Sequence, residues 1–496
     1  MKNFFGILLL SILVLSSCKK GVEAGDALHL VPNTVTSVTA VRVDQLLEKA
    51  NYEKIKELDF FEDALKDVDD PTLQAILRNP YESGINLEMP IYIANDLDAE
   101  NFEDMSIMTI MTLKDVDKFA TLMESIPGES STANGITTKK LDRSTVVGWN
   151  EEAAIIAATT GYGNVSSSLP TYFATTEENS VVNDKSLRDL LAKDADISSW
   201  ATLDAFAKSP QVRMGAGMIG IKADALEGNV ATSFANFEKG QVSGFSYLDF
   251  KDELVKDFKM FVKDEVDTDF AQYVPKENLV FVMTVGLNGR GLDEVLANNT
   301  QYRTFADMAM MEMGMTSSEL LRALDGDVLV AGHMAPGMQE PTLSFATKIN
   351  DEKVVAKLLS SNQFELTSTG SNTWKLPTYN RRGEAMMAMK DGMLFIADDP
   401  IHFAKMVDGG YGRSERIDGD AEDWTEDNLM GLFVNLAPLL SLESETAPLA
   451  RVLNTVTLGV EREESEAHLN LKRDDVNSLQ AILEAANEMY MAEKNR

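Results

Sequence analysis

Apolar residues recur along the chain in blocks whose spacing alternates between the two-residue period of strands and the three-to-four-residue period of helices. An apolar stretch from Val35 to Val43 leads into Leu46, Leu47 and Ala50, which predicts a strand entering a helix. Ser106 to Met123 predicts a second strand, followed by Lys114-Asp115-Val116-Asp117 and a helix with Phe119 and Leu122 inward. Val146 to Trp149, the polar turn Asn150-Glu151-Glu152 and Ala154 to Ala158 predict a hairpin. The stretch Ile197 to Phe206 centres on Trp200, and Val242 to Phe250 followed by Leu254, Phe258 and Phe261 predicts a closing hairpin and helix.

The same patterns return in the same order further along, which is the signature of an internal repeat. Leu30-Val31-Pro32 before the first strand is echoed by Tyr273-Val274-Pro275, followed by Leu279 to Val285 and then Leu292, Val295 and Leu296. Thr342 to Leu359 answers the second strand and helix, with Asn350-Asp351-Glu352-Lys353 at the helix start. Both helices open on acidic side chains, where free amides and the helix dipole favour them. Met386 to Met389, Lys390-Asp391-Gly392 and Met393 to Ala397 form the second hairpin, and its Asp-Gly turn suits the tight connection of two antiparallel strands. Leu429 to Leu436 around Phe433 matches the Trp200 stretch, and Glu466 to Leu471 followed by Val476, Leu479 and Ile482 matches the close. The reading is α+β: a tandem duplication of residues 27–268 and 269–496, each copy a mainly antiparallel sheet with helices packed on one face.

The first residues follow a different logic. Lys2 precedes an almost wholly apolar run from Phe4 to Leu15, and Leu15-Ser16-Ser17-Cys18 comes directly after it. Twelve helical residues reach about 18 Å against a hydrocarbon core of about 30 Å, so this segment is read as an export signal and not as a span. The four residues ending in Cys18 resemble the bacterial lipoprotein box. That resemblance implies a signal peptide over residues 1–17, lipidation of Cys18 with diacylglyceryl and palmitate-type chains, and a tether over residues 18–26. Lys19 and Lys20 follow the cysteine where an Asp would retain an enteric lipoprotein at the inner membrane, so an outer-membrane destination is expected. Only Glu23 and Asp26 stand where surface-exposed Bacteroidota lipoproteins carry an acidic cluster. The expected face is periplasmic, with the cell surface as the alternative.

Beyond the leader, the chain resembles a family of Bacteroidota lipoproteins of similar length built on a domain of unknown function. The residues that carry this likeness are the lipoprotein box, the Val31-Pro32 strand start, Val41-Arg42-Val43-Asp44 leading into Leu46-Leu47, and the strand around Trp200. The resemblance implies fold and address, not an activity. Charge narrows the partners further: 45 Lys and Arg against 79 Asp and Glu leave a net charge of -34, a field that repels nucleic acid.

No motif carries recognisable chemistry. Gly215-Ala216-Gly217-Met218-Ile219-Gly220 has dinucleotide-loop spacing, but Ser209 to Arg213 is too short and polar to be the buried strand that should precede it, so close backbone packing of small residues is expected instead. Met308, Met310, Met311, Met313 and Met315 could offer soft thioethers to Cu(I); a conformable core or partner-facing helix is the expectation. Asp67-Val68-Asp69-Asp70 and Asp418 to Asp423 miss the glycine and terminal carboxylate of a calcium loop and read as solvated. His29, His333, His402 and His468 sit in no nucleophile motif, and with one Cys they form no metal cage in sequence. Neither catalytic, cofactor-binding nor metal residues are therefore assigned, and Cys18 is the one site residue. The expected function is that of a membrane-anchored, non-catalytic binding or scaffold protein for an envelope protein, peptide or polymer. The alternative is an envelope hydrolase using Asp and Glu residues in a cleft between the lobes.

Overall fold

The computed structural model describes residues 26–495, except 98–104, 161–164, 219–222, 253–261, 264, 299, 312, 325, 362–365, 378–384, 427 and 444. Cys18, the leader and the predicted helix at Leu254, Phe258 and Phe261 lie outside the described residues. The chain forms two compact units, Met1–Val212 with Leu226–Asp249 and Leu471–Arg496, and Arg213–Ala225 with Phe250–Asn470.

In the first unit the strands are β1 (Ser37–Val41), β2 (Ile91–Leu97), β3 (Met105–Thr112), β4 (Glu129–Ala133), β5 (Ile136–Lys140), β6 (Thr145–Trp149), β7 (Ala153–Thr159), β8 (Ile197–Thr202), β9 (Val230–Glu238) and β10 (Gln241–Asp249). They pair antiparallel in the order β4-β5-β6-β7-β3-β2-β1-β8-β9-β10. The register sets Val38 between Ala94 and Trp200, and Ile110 against Ile155.

The α+β class holds, but helices cover both faces of this sheet, which corrects the one-face expectation. Along β7, Ala153, Ile155 and Ala157 join a core with Leu169, Leu187 and Leu190. The alternate residue Ala154 joins another with Val43, Leu47, Phe119 and Met123. A strand buried on both faces carries a continuous apolar run instead of alternation, and the run Ala153–Ala158 reads that way.

The C-terminal helix Ser478–Lys494 belongs to this first unit, so the compact units do not coincide with a division at residue 268. Leu479 and Leu483 pack on Ala50, Ile55, Phe61, Leu65 and Leu77. Lys54 pairs with Glu484 at 2.6 Å, and the Tyr490 hydroxyl donates to Asp63 at 2.9 Å. Gly240 sets the approach of this segment: its φ is +72°, it accepts from Leu471 N at 2.7 Å, and a Cβ there would lie 2.8 Å from the Asp474 Cα.

The second unit contains β11 (Leu279–Gly286), β12 (Asp327–His333), β13 (Thr342–Lys348), β14 (Thr367–Gly370), β15 (Thr373–Leu376), β16 (Ala385–Lys390), β17 (Met393–Ala397), β18 (Met430–Asn435), β19 (Leu453–Val460) and β20 (Glu464–Leu471). Its described order is β14-β15-β16-β17-β13-β12-β11-β18-β19, again antiparallel, with β20 beside β19. Here too both faces are covered: Ala388 and Phe395 pack with Phe403 and Met406, whereas Met387 and Leu394 pack with Val355 and Leu359. Asp391 and Gly392 take φ of +51° and +76°, the left-handed pair that a two-residue hairpin turn requires. Asp115 and Asp351 cap the helices Val116–Ser125 and Glu352–Leu359, as their positions in the sequence predict.

Candidate functional site

The second unit carries a cavity of about 740 Å³ at the end of its sheet where β11 begins and β12 and β18 finish. Three adjacent strands end together there, and the segments leaving them supply the walls. Leu279 and Phe433 form the strand side, and Met334, Pro336 and Met338 come from the loop after β12. Ile417 and Ala421 face them, with Pro438 and Leu442 from the segment after β18. Asn435 fixes that last segment: its side chain accepts from Ala437 N at 3.3 Å and donates to the Leu279 carbonyl at 3.4 Å. Asn278 turns the chain in a left-handed conformation at φ +58°, and its carbonyl accepts from Met334 N at 2.9 Å. The lip is polar, with Lys276 and Asp418 paired at 3.0 Å. Such a cavity can hold an apolar group by excluding water and orient a polar end at the lip.

Behind one wall lies a cluster of rings. His333, at the end of β12, and His402, on the helix Pro400–Val407, have ring centroids 5.2 Å apart. His333 Nε2 lies 3.0 Å from the Pro275 carbonyl, next to the cavity residue Lys276. His402 Nδ1 lies 2.6 Å from the Tyr411 hydroxyl, and its buried Nε2 has no partner. Burial pushes the His402 proton affinity down to about 4, helped by the neighbouring His333, and burial lowers His333 as well. The Tyr411 hydroxyl is pushed up to about 12 by burial and by Asp399 and Glu415.

The model of a protein family described as a domain of unknown function, DUF4836, matches residues 28–406. The chain belongs to this family. The matched stretch includes His333, His402 and the cavity residues from Lys276 to Met338, whereas Tyr411 and the cavity residues from Ile417 onward lie past it. Among solved structures, crystal form I of TP0453 is similar at 8% identity and a TM-score of 0.27, over 45% of this chain and 78% of that one. Crystal form III of the same protein is similar at 9% identity and a TM-score of 0.21, over 79% and 99%. No curated protein sequence matches the chain.

In this family member, the sequence candidates fall in separate places. Gly215 lies in the helix Pro210–Met218, and a Cβ there would meet nothing within 4 Å, so the expected close packing is absent at that glycine; residues 219 and 220 of the motif are outside the described residues. Met308 and Met311 are exposed on the helix Thr300–Met311, whereas Met313 and Met315 are buried beyond its end. Asp70 is a helix cap, bonded to Thr72 N at 2.8 Å and Leu73 N at 3.0 Å. Asp418 pairs with Lys276, and Glu422 pairs with Arg416 at 2.7 Å. His29 Nδ1 contacts the Asp26 carbonyl at 2.8 Å, and His468 Nε2 contacts Glu466 at 2.7 Å. Of the four histidines, His333 and His402 come together across 69 residues of sequence, and Tyr411 was not singled out by any motif. Among the described residues, no three His, Cys, Asp or Glu side chains are grouped to share a metal ion. No helix among them is long and apolar enough to cross a membrane.

Proposed function

We propose that this chain is a lipid-anchored envelope protein that works by binding, and that the cavity of its second unit receives an apolar part of the partner. The observation that carries the reading is the lining itself: methionine, leucine, isoleucine, phenylalanine and proline side chains surround the space, and the charged groups stand at the lip as a Lys276–Asp418 pair. Methionines such as Met334 and Met338 conform to ligands of different shape, which suits a binding surface. Anchoring through Cys18 in the outer membrane would supply locality, since a partner in the same envelope is met at high effective concentration. The strong negative charge favours neutral or basic partners and disfavours nucleic acid.

We further propose that residues 27–268 and 269–496 are copies from a tandem duplication. The strand orders support this: β1 to β9 and β11 to β19 follow the same order when each is counted from its own first strand. The hairpins of β6 with β7 and β16 with β17 take the same place in that order, as do the strands bearing Trp200 and Phe433.

The binding reading is tested with the soluble form, residues 19–496, and the apolar fluorophore N-phenyl-1-naphthylamine. Saturable enhancement that is lost in Ala335→Trp, which fills the cavity from an exposed wall position, supports it. Equal enhancement by both proteins, or none by either, overturns the assignment of the cavity. A pull-down from envelope membranes with the lipid anchor intact then identifies the natural partner.

A further inference from the structure

The cavity wall is held by contacts that converge on the ring cluster. Tyr411 N donates to the Gln272 carbonyl at 2.7 Å, Lys276 N to the Glu415 carbonyl at 2.9 Å, and Ile417 N to the Val274 carbonyl at 2.9 Å. These three bonds zip residues 410–417 to residues 272–276; the two segments present Ile417 and Lys276 to the cavity, and the residues just after them present Asp418 and Asn278. The zipper is pinned at both sides by imidazoles: His333 Nε2 to the Pro275 carbonyl, and His402 Nδ1 to the Tyr411 hydroxyl.

We propose that His333, His402 and Tyr411 form an acid-sensitive latch that keeps the cavity wall closed near neutral pH and releases it on acidification. The proposal rests on the reading of the cavity as a binding site and adds its regulation. Its geometry explains the sense of the switch. A neutral His402 satisfies Nδ1 through Tyr411 and leaves a buried Nε2. With the neutral proton on Nδ1, protonation adds an N–H at the buried Nε2, which has no acceptor; in the other tautomer that N–H is already present, and the cost of protonation is the charge itself, held out of water. The second ring, 5.2 Å away, adds like-charge repulsion if it is protonated too.

The charged groups facing the cluster do not neutralise that load. Asp399 favours a charge on both rings, but its Oδ1 already caps the helix through Ile401 N at 2.7 Å and His402 N at 2.9 Å. Lys405 lies 5.6 Å from the Tyr411 ring centroid and pairs with Glu415 at 3.5 Å, so the two together bring no net charge to that side. Opening the zipper lets His402 titrate as an ordinary solvated imidazole. Proton binding to the open form then pulls the equilibrium toward it.

The size of the effect follows from the two affinities. With His402 near 4 when closed and at its ordinary 6.5 when open, going from pH 7 to pH 4.5 raises the opening constant about 60-fold. Hydrogen exchange read by mass spectrometry on the full chain in mild detergent measures this, after correction for the intrinsic pH dependence of exchange. The expected result is a loss of protection of about that size in residues 272–276 and 410–417, with β1, β2 and β3 of the first unit unchanged. His402→Gln, which cannot titrate, should reduce the ratio between the two pH values to a few-fold. His333→Gln should lower it as well, and that variant decides the matter if His402→Gln does not fold. A wild-type ratio within three-fold of unity, or a wild-type ratio retained in the folded variants, overturns the latch. Failure of the fluorophore to bind would refute the binding reading and leave this exchange result standing, so the two are separable.

Discussion

Lys49→Met should cost the first unit about 3 kcal/mol, because it would leave Asp196 as a buried carboxylate without its countercharge. Asp196 precedes β8 and is fully buried. Its two oxygens lie 2.7 Å and 2.6 Å from Lys49 Nζ, on the helix Val43–Ala50, and Oδ2 also accepts from Phe237 N at 2.7 Å. Removing one member of a buried pair costs about 3 to 5 kcal/mol. The Lys49 side chain is 29% exposed, so water reaches its side of the pair, and the surviving amide bond from Phe237 keeps the carboxylate partly satisfied. Both facts place the cost at the lower end. With a urea dependence of about 2 to 3 kcal/mol per molar for a unit of this size, the midpoint should fall by about 1 M. Trp149 and Trp200 lie in the first unit and Trp374 and Trp424 in the second, so urea unfolding by fluorescence in a Trp374→Phe/Trp424→Phe background reads the first unit alone. Lys49→Met/Asp196→Asn should recover part of the loss, because the amide carries no charge and its oxygen can still accept from Phe237 N. A midpoint within 0.2 M of the parent (about a fifth of the expected shift) for Lys49→Met, or a double variant no more stable than the single one, would refute the reasoning.

Three further outcomes are expected. In thermal melts, Gly431→Ala should destabilise the second unit by about 3 kcal/mol or more, since its Cβ would lie 1.8 Å from the Trp424 carbonyl oxygen; Gly215→Ala, with open space around it in a helix, should be neutral or gain about 0.5 kcal/mol. Asp26, buried against the Tyr92 hydroxyl, has its proton affinity raised by burial. The folded state therefore binds the proton more tightly than the unfolded chain, and stability should fall as pH rises from 3.8 through the raised value; Asp26→Asn should remove that slope in urea titrations across the window. Metabolic labelling with a fatty acid should mark the wild-type chain and not Cys18→Ala, and equal labelling of both would remove the lipid anchor from the proposal.

Local chemistry makes much of the fold legible in the amino-acid sequence itself. The Asp391-Gly392 turn, the caps at Asp115 and Asp351 and the strand-to-helix switches after Val41 and Val285 each rest on residues close in sequence, where backbone preference and apolar period act directly. Even the covering of both sheet faces is written in the unbroken apolar run Ala153–Ala158, although alternation elsewhere masks it. The cavity is not legible, because its walls come from three strand ends and from segments more than 100 residues apart, and none of its residues carries a motif. The same holds for the latch: His333, His402 and Tyr411 are ordinary in sequence, and only the pairing of β11 with β12 and the docking of the helix Pro400–Val407 bring their rings together. Nor can the apolar stripe of Leu479 and Leu483 reveal its partner, since periodicity specifies that a helix face must be buried and leaves open against what; the answer, the first-unit cluster around Phe61, is decided by packing across the length of the chain.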